Sequence, residues 1–153
     1  MRKKSADKIR FTGMFLFILY LVVLVYFLFF AEAYGRTLGG RVYRYNLEPL
    51  KEIKRFWIYR EELGLLSVLT NLVGNVVAFI PFGAILPVIK KGMRRWYIII
   101  LLSFEFSFIV ETIQLISKVG SFDVDDLILN TLGGTIGYLI FYFCNKLRRK
   151  LYG

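Results

Sequence analysis

The sequence predicts an all-α membrane protein, a polytopic and compact bundle of four transmembrane helices. Of its 153 residues, 57% are hydrophobic and 18% are aromatic, which exceeds what a soluble core of this length uses. Four segments are apolar over about 20 residues, the length that crosses about 30 Å of hydrocarbon. We therefore expect a single membrane domain over residues 1–153, with helices at about 11–33, 65–89, 96–117 and 127–145.

The first helix follows five basic residues and ends near Ala31-Glu32-Ala33, which resembles a signal peptidase site. Its apolar run of roughly 20 residues is longer than the 7 to 15 of a signal peptide core. This length favours an uncleaved membrane anchor.

The first loop, residues 34–64, contains apolar residues at near-helical spacing, and Pro49 is suited to a first helical position. These residues are Leu50, Ile53, Phe56, Trp57 and Leu63. Because Trp favours the membrane interface, a short interfacial helix is one interpretation. A solvated connector with scattered aromatic residues is the other.

The second helix contains Gly74, Pro81, Gly83 and Pro87. Each proline removes a backbone donor and clashes with the preceding turn. The sequence therefore predicts a kink or break near residues 79–83, where the freed carbonyls need partners from neighbouring helices or water.

The fourth helix places Gly133, Gly134 and Gly137 where two helix backbones can approach closely. This pattern predicts helix packing. The partner is either another helix of the chain or a second copy in a homo-oligomer.

The basic residues predict the orientation in the plasma membrane. Placing both termini in the cytoplasm puts 13 of the 21 Lys and Arg residues inside and 8 outside. Cytoplasmic loops are enriched in these residues. We therefore expect a multi-pass protein with both termini in the cytoplasm.

Polar side chains form a stripe on each of helices two, three and four. A carboxylate at the bilayer centre costs several kcal/mol, which makes Glu111 a functional-site candidate. With this orientation all three stripes fall in the outer half of the membrane. The sequence thus predicts a shared site of Asn71, Asn75, Glu111, Gln114, Asp123, Asp125, Asp126 and Asn130.

Structural roles for the same residues remain open. The aspartates can cap the fourth helix, and Asn or Gln often joins membrane helices through hydrogen bonds. Glu111 fits a structural role least well, because a carboxylate is a costly source of one hydrogen bond. Glu105 lies on another face and is interpreted as a lone charge.

Composition excludes several kinds of chemistry. The chain has no histidine, which excludes histidine-dependent hydrolases, and its single cysteine, Cys144, cannot form an intramolecular disulfide. We expect no cofactor; a bound metal would be a hard cation such as Mg²⁺ or Ca²⁺, because the candidate ligands are oxygens and amides. The net charge of +10 lies at membrane flanks, so we expect membrane lipids as partners and no nucleic acid.

Several motifs lie in order along the predicted helices and the loops between them. They are Asn46-Leu47-Glu48-Pro49-Leu50, Asn71-Leu72-Val73-Gly74-Asn75, Phe79-Ile80-Pro81-Phe82-Gly83, Glu111-Thr112-Ile113-Gln114 and Asp123-Val124-Asp125-Asp126, followed by Asn130, Gly133, Gly134, Gly137 and Tyr138. Together they resemble the VanZ family of bacterial membrane proteins, which is named for a protein associated with resistance to the glycopeptide teicoplanin. The first motif departs from the family's usual Asn-Leu-x-Pro-Phe by carrying Leu50.

The resemblance implies a role in antibiotic resistance at the cell envelope. We expect the protein to recognise or alter an envelope component, such as a lipid-linked cell-wall precursor or a lipoglycopeptide. One alternative is a membrane enzyme that acts on a lipid-linked phosphate or acyl group, with Glu111 or Asp126 as general base. Another is a proton-coupled exporter in which Glu111 titrates. The sequence shows no nucleophile pair or phosphatase signature, which weighs against the enzyme.

Overall fold

The protein is described by a computed structural model over residues 2–30 and 43–152. Four helices are long and apolar enough to cross a membrane, which confirms the predicted all-α class. The predicted end of the first helix at about residue 33, with the segment Ala31-Glu32-Ala33, lies outside the described residues. The helices are α1 (Arg2–Phe30), α2 (Lys51–Ile58), α3 (Arg60–Leu63), α4 (Leu65–Val68), α5 (Gly74–Ile89), α6 (Trp96–Ser117) and α7 (Val124–Tyr152).

Among the described residues, four short elements connect these helices. A π-helical turn, Leu69–Val73, joins α4 to α5, so that the second membrane span runs from Leu65 to Ile89. A 3-10 turn, Lys91–Met93, follows α5. Two-residue strands β1 (Tyr45–Asn46) and β2 (Phe122–Asp123) pair in parallel.

The last helix, α7, is longer than its apolar segment. It begins three residues before the predicted residue 127 and continues to Tyr152. Its 29 residues extend about 43 Å, more than the hydrocarbon thickness. Its basic last turns therefore extend beyond the apolar layer, where water solvates their charges.

Glycines bring α5 and α7 into backbone contact. A Cβ atom on Gly133 would overlap the carbonyl oxygen of Val76, and one on Gly137 would overlap that of Ile80. On α5, a Cβ atom on Gly83 would overlap the carbonyl oxygen of Gly134. The packing partner of the α7 glycines is thus a helix of the same chain.

Aromatic rings join α1, α5 and α6 in the middle of the bundle. Phe82 of α5 stacks on Phe106 of α6, with ring centroids 5.1 Å apart. Phe79 lies 5.8 Å from the same Phe106 ring, and Phe17 of α1 lies 5.7 Å from Phe82. Such ring pairs add to the packing energy of the buried surface.

The sequence predicts a kink or break near residues 79–83. The helix α5 continues through both of its prolines, so it does not break there. The departure from α-helical geometry comes earlier, at the π-helical turn Leu69–Val73. The Tyr20 hydroxyl of α1 donates to the Ala78 carbonyl at 2.8 Å, three residues before Pro81. A neighbouring helix thus provides a donor next to the proline, as membrane helices require.

The first loop contains the helix α2, with Phe56 buried and Trp57 and Ile58 exposed. The helix begins at Lys51, and Leu50 before it adopts a left-handed φ of 65°. Pro49 therefore precedes the helix, and its predicted first helical position is wrong by two residues. The proline ring fixes the turn that leads into α2.

The bundle has two chemically different ends. We call the end that contains α2, the last turn of α6 and the first turn of α7 the acidic end. The other end, where α1 and α6 begin and α5 and α7 finish, is the basic end. Gly13 near the start of α1 lies 3.6 Å from Ile89 at the end of α5, measured from an ideal Cβ atom, so these two helices are antiparallel.

Candidate functional site

Buried polar side chains lie along the face of α6 that packs against α7. Ser103, Ser107 and Glu111 recur every four residues and therefore share one side of the helix. The two serines are fully buried and Glu111 is 2% exposed, and Gln114 one turn later is also buried. We call these four residues the polar seam; it extends about 16 Å along the helix axis.

Glu111 holds the segment that leads into α7. Its Oε2 accepts a hydrogen bond from the backbone N–H of Asp123 at 3.0 Å, and both residues are buried. Asp123 belongs to β2, so this bond attaches the strand to α6. A carboxylate acceptor strengthens a hydrogen bond to a backbone amide.

Asp123 and Asn46 join β1 to β2 through their side chains. The Asn46 Nδ2 group donates to Asp123 Oδ1 at 3.0 Å, and the backbone N–H of Asp125 donates to the same oxygen at 2.8 Å. Asn46 Oδ1 also accepts from the Glu48 N–H at 3.2 Å, a local turn that Asn favours. These bonds fix β1 and the turn between β1 and α2 at the acidic end.

Asp125 caps the N-terminus of α2, although it belongs to α7. Its Oδ1 accepts from the Leu50 N–H, and its Oδ2 accepts from the Glu52 N–H at 2.7 Å and the Ile53 N–H at 3.1 Å. Leu50, at the N-cap position, has no side-chain cap of its own. A carboxylate there satisfies the free amides and matches the positive end of the helix dipole. Asp125 therefore docks α2 onto the bundle.

Asn71 and Asn75, which the sequence places in one shared site on helix two, have different surroundings in the structure. Asn75 Nδ2 donates to Asp126 Oδ1 and so links α5 to α7. Asn71 lies in the π-helical turn, is exposed, and donates to the Ser67 carbonyl of its own span at 2.8 Å. Because the π-helical turn changes the angular spacing of side chains, the regular 100° step used for the prediction fails here.

Gln114 supports the turn after α6. Its backbone carbonyl accepts from the Val119 N–H at 3.1 Å and the Gly120 N–H at 3.2 Å. A Cβ atom on Gly120 would lie only 2.9 Å from Gln114 Cβ. Glycine at this position therefore lets the turn pass close over the buried glutamine.

Asn130 extends the buried polar surface from α7 towards the middle of the bundle. It is 1% exposed, and its Nδ2 donates to Ser107 Oγ at 2.9 Å. Its Oδ1, and the Oγ of Ser103, are buried without a hydrogen-bond partner among the described residues. Buried polar atoms of this kind commonly bond to internal water.

Seven of the eight predicted site residues lie at or just below the acidic end, and Asn71 stands apart. Sequence analysis missed Asn46 as a member of the network, along with the backbone amides of α2. The Asn-Leu-Glu-Pro pattern that contains Asn46 is a turn signature, and it could have indicated the side-chain bond. Nothing in the sequence pairs that turn with Asp123.

The geometry also bears on metal binding and catalysis. Within residues 2–30 and 43–152, no group of three or more Asp, Glu or Cys side chains is placed to hold a metal ion. Both Asp125 oxygens accept backbone amides, as do Oδ1 of Asp123 and Oε2 of Glu111. The carboxylates thus serve as acceptors that fix the loops around α2.

Comparison with known proteins assigns the family. The VanZ/LLP1 family matches the chain over residues 17–145. Protein VanZ of Enterococcus faecium is 32% identical over 136 residues, which cover 84% of this chain and 72% of that protein. No solved structure matches the chain. With four membrane-length helices and a match over most of its length, this protein belongs to the VanZ family.

Proposed function

We propose that this protein recognises a cell-envelope component with an apolar tail, such as a lipid-linked cell-wall precursor or a lipoglycopeptide, at its acidic end. The supporting observation is the capping of α2 by Asp125, because it fixes on the bundle a helix whose Trp57 and Ile58 are each 66% exposed. Trp favours the depth of lipid headgroups. The helix α2 thus offers aromatic and apolar surface where a lipid-tailed ligand enters the membrane.

The hydrogen bonds of the carboxylates support binding over catalysis. A general base needs an oxygen that reaches the substrate proton. Of the two candidate bases, Glu111 instead accepts the Asp123 N–H through Oε2, and Asp126 accepts a hydrogen bond from Asn75 Nδ2 through Oδ1. These bonds give the carboxylates a role in shaping the surface to which the ligand binds.

The polar seam extends only partway through the bundle, which supports a binding site at the acidic end over a transport path across the membrane. The seam covers about 16 Å, roughly half of a 30 Å hydrocarbon layer. One turn beyond Ser103 on the same face is Ile99, which is fully buried and apolar. A proton-coupled exporter requires polar groups to continue past this point.

In this proposal the acidic end faces the cell envelope and both termini face the cytoplasm of a multi-pass plasma-membrane protein. The basic end carries most of the Lys and Arg residues, as cytoplasmic ends do. Single cysteines test this in a Cys144→Ser background, with Gly92→Cys at the basic end and Glu61→Cys on exposed α3. A membrane-impermeant maleimide applied to intact cells should label only Glu61→Cys. Labelling of only Gly92→Cys would reverse the orientation.

Resistance is tested in a glycopeptide-susceptible Gram-positive host that expresses the chain. We expect a higher inhibitory concentration of teicoplanin, and loss of this protection in a Glu111→Gln/Asp126→Asn double variant. Glu105→Gln is the matched control, because Glu105 lies exposed on the same helix α6. If the double variant reaches the membrane at normal levels and still protects, the acidic end is not the active element.

Binding at α2 is tested directly with a labelled teicoplanin-type lipoglycopeptide and the purified protein in nanodiscs. Trp57→Ser should weaken binding roughly thirtyfold, the effect of a central aromatic contact. The control is Trp96→Ser, because Trp96 is 62% exposed at the basic end. Equal weakening by both substitutions would show that α2 is not the binding surface.

A further inference from the structure

A groove lies between α1 and α5 at the basic end of the bundle. Its volume is about 450 Å³, within the roughly 300–1,000 Å³ of ligand pockets in proteins. The helix α1 contributes Lys8, Thr12 and Leu16, and α5 contributes Ile85 and Val88. This groove is at the opposite end of the bundle from α2 and plays no part in the proposed function.

Along α1, the lining residues change from charged to polar to apolar, which matches the order from the phosphate group to the acyl chain in a phospholipid. Lys8, Thr12 and Leu16 are four residues apart, so they lie on one face of the helix at intervals of about 6 Å. A cation therefore stands at the mouth, a hydroxyl group lies one turn deeper, and an apolar side chain follows. Lysine near a helix end extends its ammonium group towards the membrane surface.

Gly13 leaves the space between the two helices open. It is the buried residue in this part of α1, and a Cβ atom on it would lie 3.6 Å from Ile89 and 3.7 Å from Val88. Alanine would therefore fit in ordinary contact, whereas a larger side chain would enter the groove. The inner wall on α5 is apolar and suits a hydrocarbon chain.

The charge around the groove favours an anionic ligand. The pKa of Arg94 lies below its usual range, first because of burial and then because of repulsion from Arg148, Arg149 and Arg10. Positive groups thus crowd the basic end. Among the side chains that the structure describes, those of residues 7–27, 29 and 43–151, the ion pairs lie at α2 and α3, namely Lys51–Glu48, Arg55–Glu52 and Arg60–Glu61.

The acidic residue beside the groove on the described part of α1 is Asp7. Asp7 precedes Lys8 on α1 and is exposed, but it is not among the residues that line the groove. Neighbouring residues on a helix point in different directions, so Asp7 does not face the same space as Lys8. An anion from the membrane itself would complement the cation at the mouth.

We propose that this groove holds one anionic phospholipid. Its acyl chain lies against Leu16, Ile85 and Val88, and its phosphate group bonds to the Lys8 ammonium and the Thr12 hydroxyl. The lipid thereby fills the space that Gly13 leaves and pairs the Lys8 ammonium with its phosphate group. It also adds a contact between the rest of the bundle and α1, whose membrane span is mostly exposed.

Native mass spectrometry of the detergent-solubilised full chain tests the site, with dioleoyl phosphatidylglycerol as probe and dioleoyl phosphatidylcholine as the neutral comparison. We expect one tightly held phosphatidylglycerol and at least fivefold weaker binding of phosphatidylcholine. Lys8→Gln should weaken phosphatidylglycerol binding about fivefold, the effect of one basic residue at an anionic surface. Lys146→Gln is the control, because it removes an equal charge on α7 outside the groove.

A second pair of variants tests the acyl-chain position. Gly13→Leu should fill the groove and abolish the tight binding, whereas Gly13→Ala should preserve it. Equal effects of Lys8→Gln and Lys146→Gln would show only diffuse attraction and overturn the proposal. So would equal affinity for both lipids, or unchanged binding by folded Gly13→Leu. If Gly13→Leu does not fold, the two lysine variants decide the outcome.

Discussion

The acidic and basic ends of this bundle use charge in opposite ways. At the acidic end, buried carboxylates accept backbone amides: Asp125 caps α2, and Glu111 holds Asp123. At the basic end, Arg148 and Arg149 are exposed and repel Arg94. The carboxylates at the acidic end determine the local fold, whereas the side chains of Arg148 and Arg149 at the basic end are exposed. Substitutions at the two ends should therefore differ in their effect on stability.

The largest expected effect is at Gly83, in the close contact between α5 and α7, because these two helices connect the acidic end to the basic end. A Cβ atom there would overlap the carbonyl oxygen of Gly134, so Gly83→Val must separate α5 from α7. We expect a loss of about 3 kcal/mol or more, measured by thermal unfolding in detergent. Gly92→Ala at the basic end meets nothing within 4 Å and should change stability by less than about 0.5 kcal/mol. Similar melting temperatures for both variants would contradict the close contact.

The second effect is at the acidic end, where Asp125→Asn replaces the acceptor of three amides. One of its two oxygens becomes an amide NH2 group, which cannot accept, so either the bond from the Leu50 N–H or the bonds from the Glu52 and Ile53 N–H groups are lost. The oxygen that remains is uncharged, so its bonds are weaker as well. We expect a loss of about 2 kcal/mol, the range for hydrogen bonds to charged groups. Hydrogen exchange should show faster exchange of these three amides.

The control for this variant is Glu61→Gln on α3. The Glu61 side chain is 90% exposed and its contact with Arg60 is 4.0 Å long, so its removal should have little effect. Unchanged protection of the α2 amides in Asp125→Asn would show that α2 is held by packing of Phe56 alone.

The sequence predicted some features of the bundle and its candidate site better than others. Apolar length was enough for the limits of α6, Trp96–Ser117, because a membrane span is a local property of about 20 residues. The clustering of Asn75, Glu111 and Asp126 followed from helix geometry together with alternating helix directions. Asn71 lies outside this cluster because it is in the π-helical turn Leu69–Val73, where side chains do not follow the regular α-helical spacing that the prediction assumed.

The role of Asp125 was beyond sequence reasoning for a different reason. As a cap it was expected to act on its own helix α7, which is the usual short-range arrangement. In the structure its partners are more than 70 residues earlier in the chain. This pairing depends on how α2 docks on the bundle and on the parallel pairing of β1 with β2, in which Asn46 bonds to Asp123. No local sequence pattern specifies either of these contacts.

A third prediction compares the two asparagines that the sequence placed together. Asn75→Ala removes the hydrogen bond between α5 and α7 and should cost about 1 kcal/mol, within the range for polar contacts between membrane helices. Asn71→Ala removes only a bond to the Ser67 carbonyl of the same span and should be nearly neutral. The measurement is thermal unfolding in detergent. A larger loss for Asn71→Ala would contradict the placement of Asn71 outside the network.

The smallest expected effect is at the basic end, in the hydrogen bond from the Tyr138 hydroxyl to the Arg94 carbonyl at 2.8 Å. Tyr138→Phe keeps the ring and removes only this donor, so it should cost about 1 kcal/mol or less. Tyr142→Phe, on an exposed ring one turn later on α7, is the control and should be neutral. Chemical denaturation in detergent measures the unfolding free energy that Tyr138→Phe and Asp125→Asn each lose, and so compares the two ends. If Tyr138→Phe destabilises more than Asp125→Asn, the basic end depends on its buried bonds as strongly as the acidic end, and the contrast between them fails.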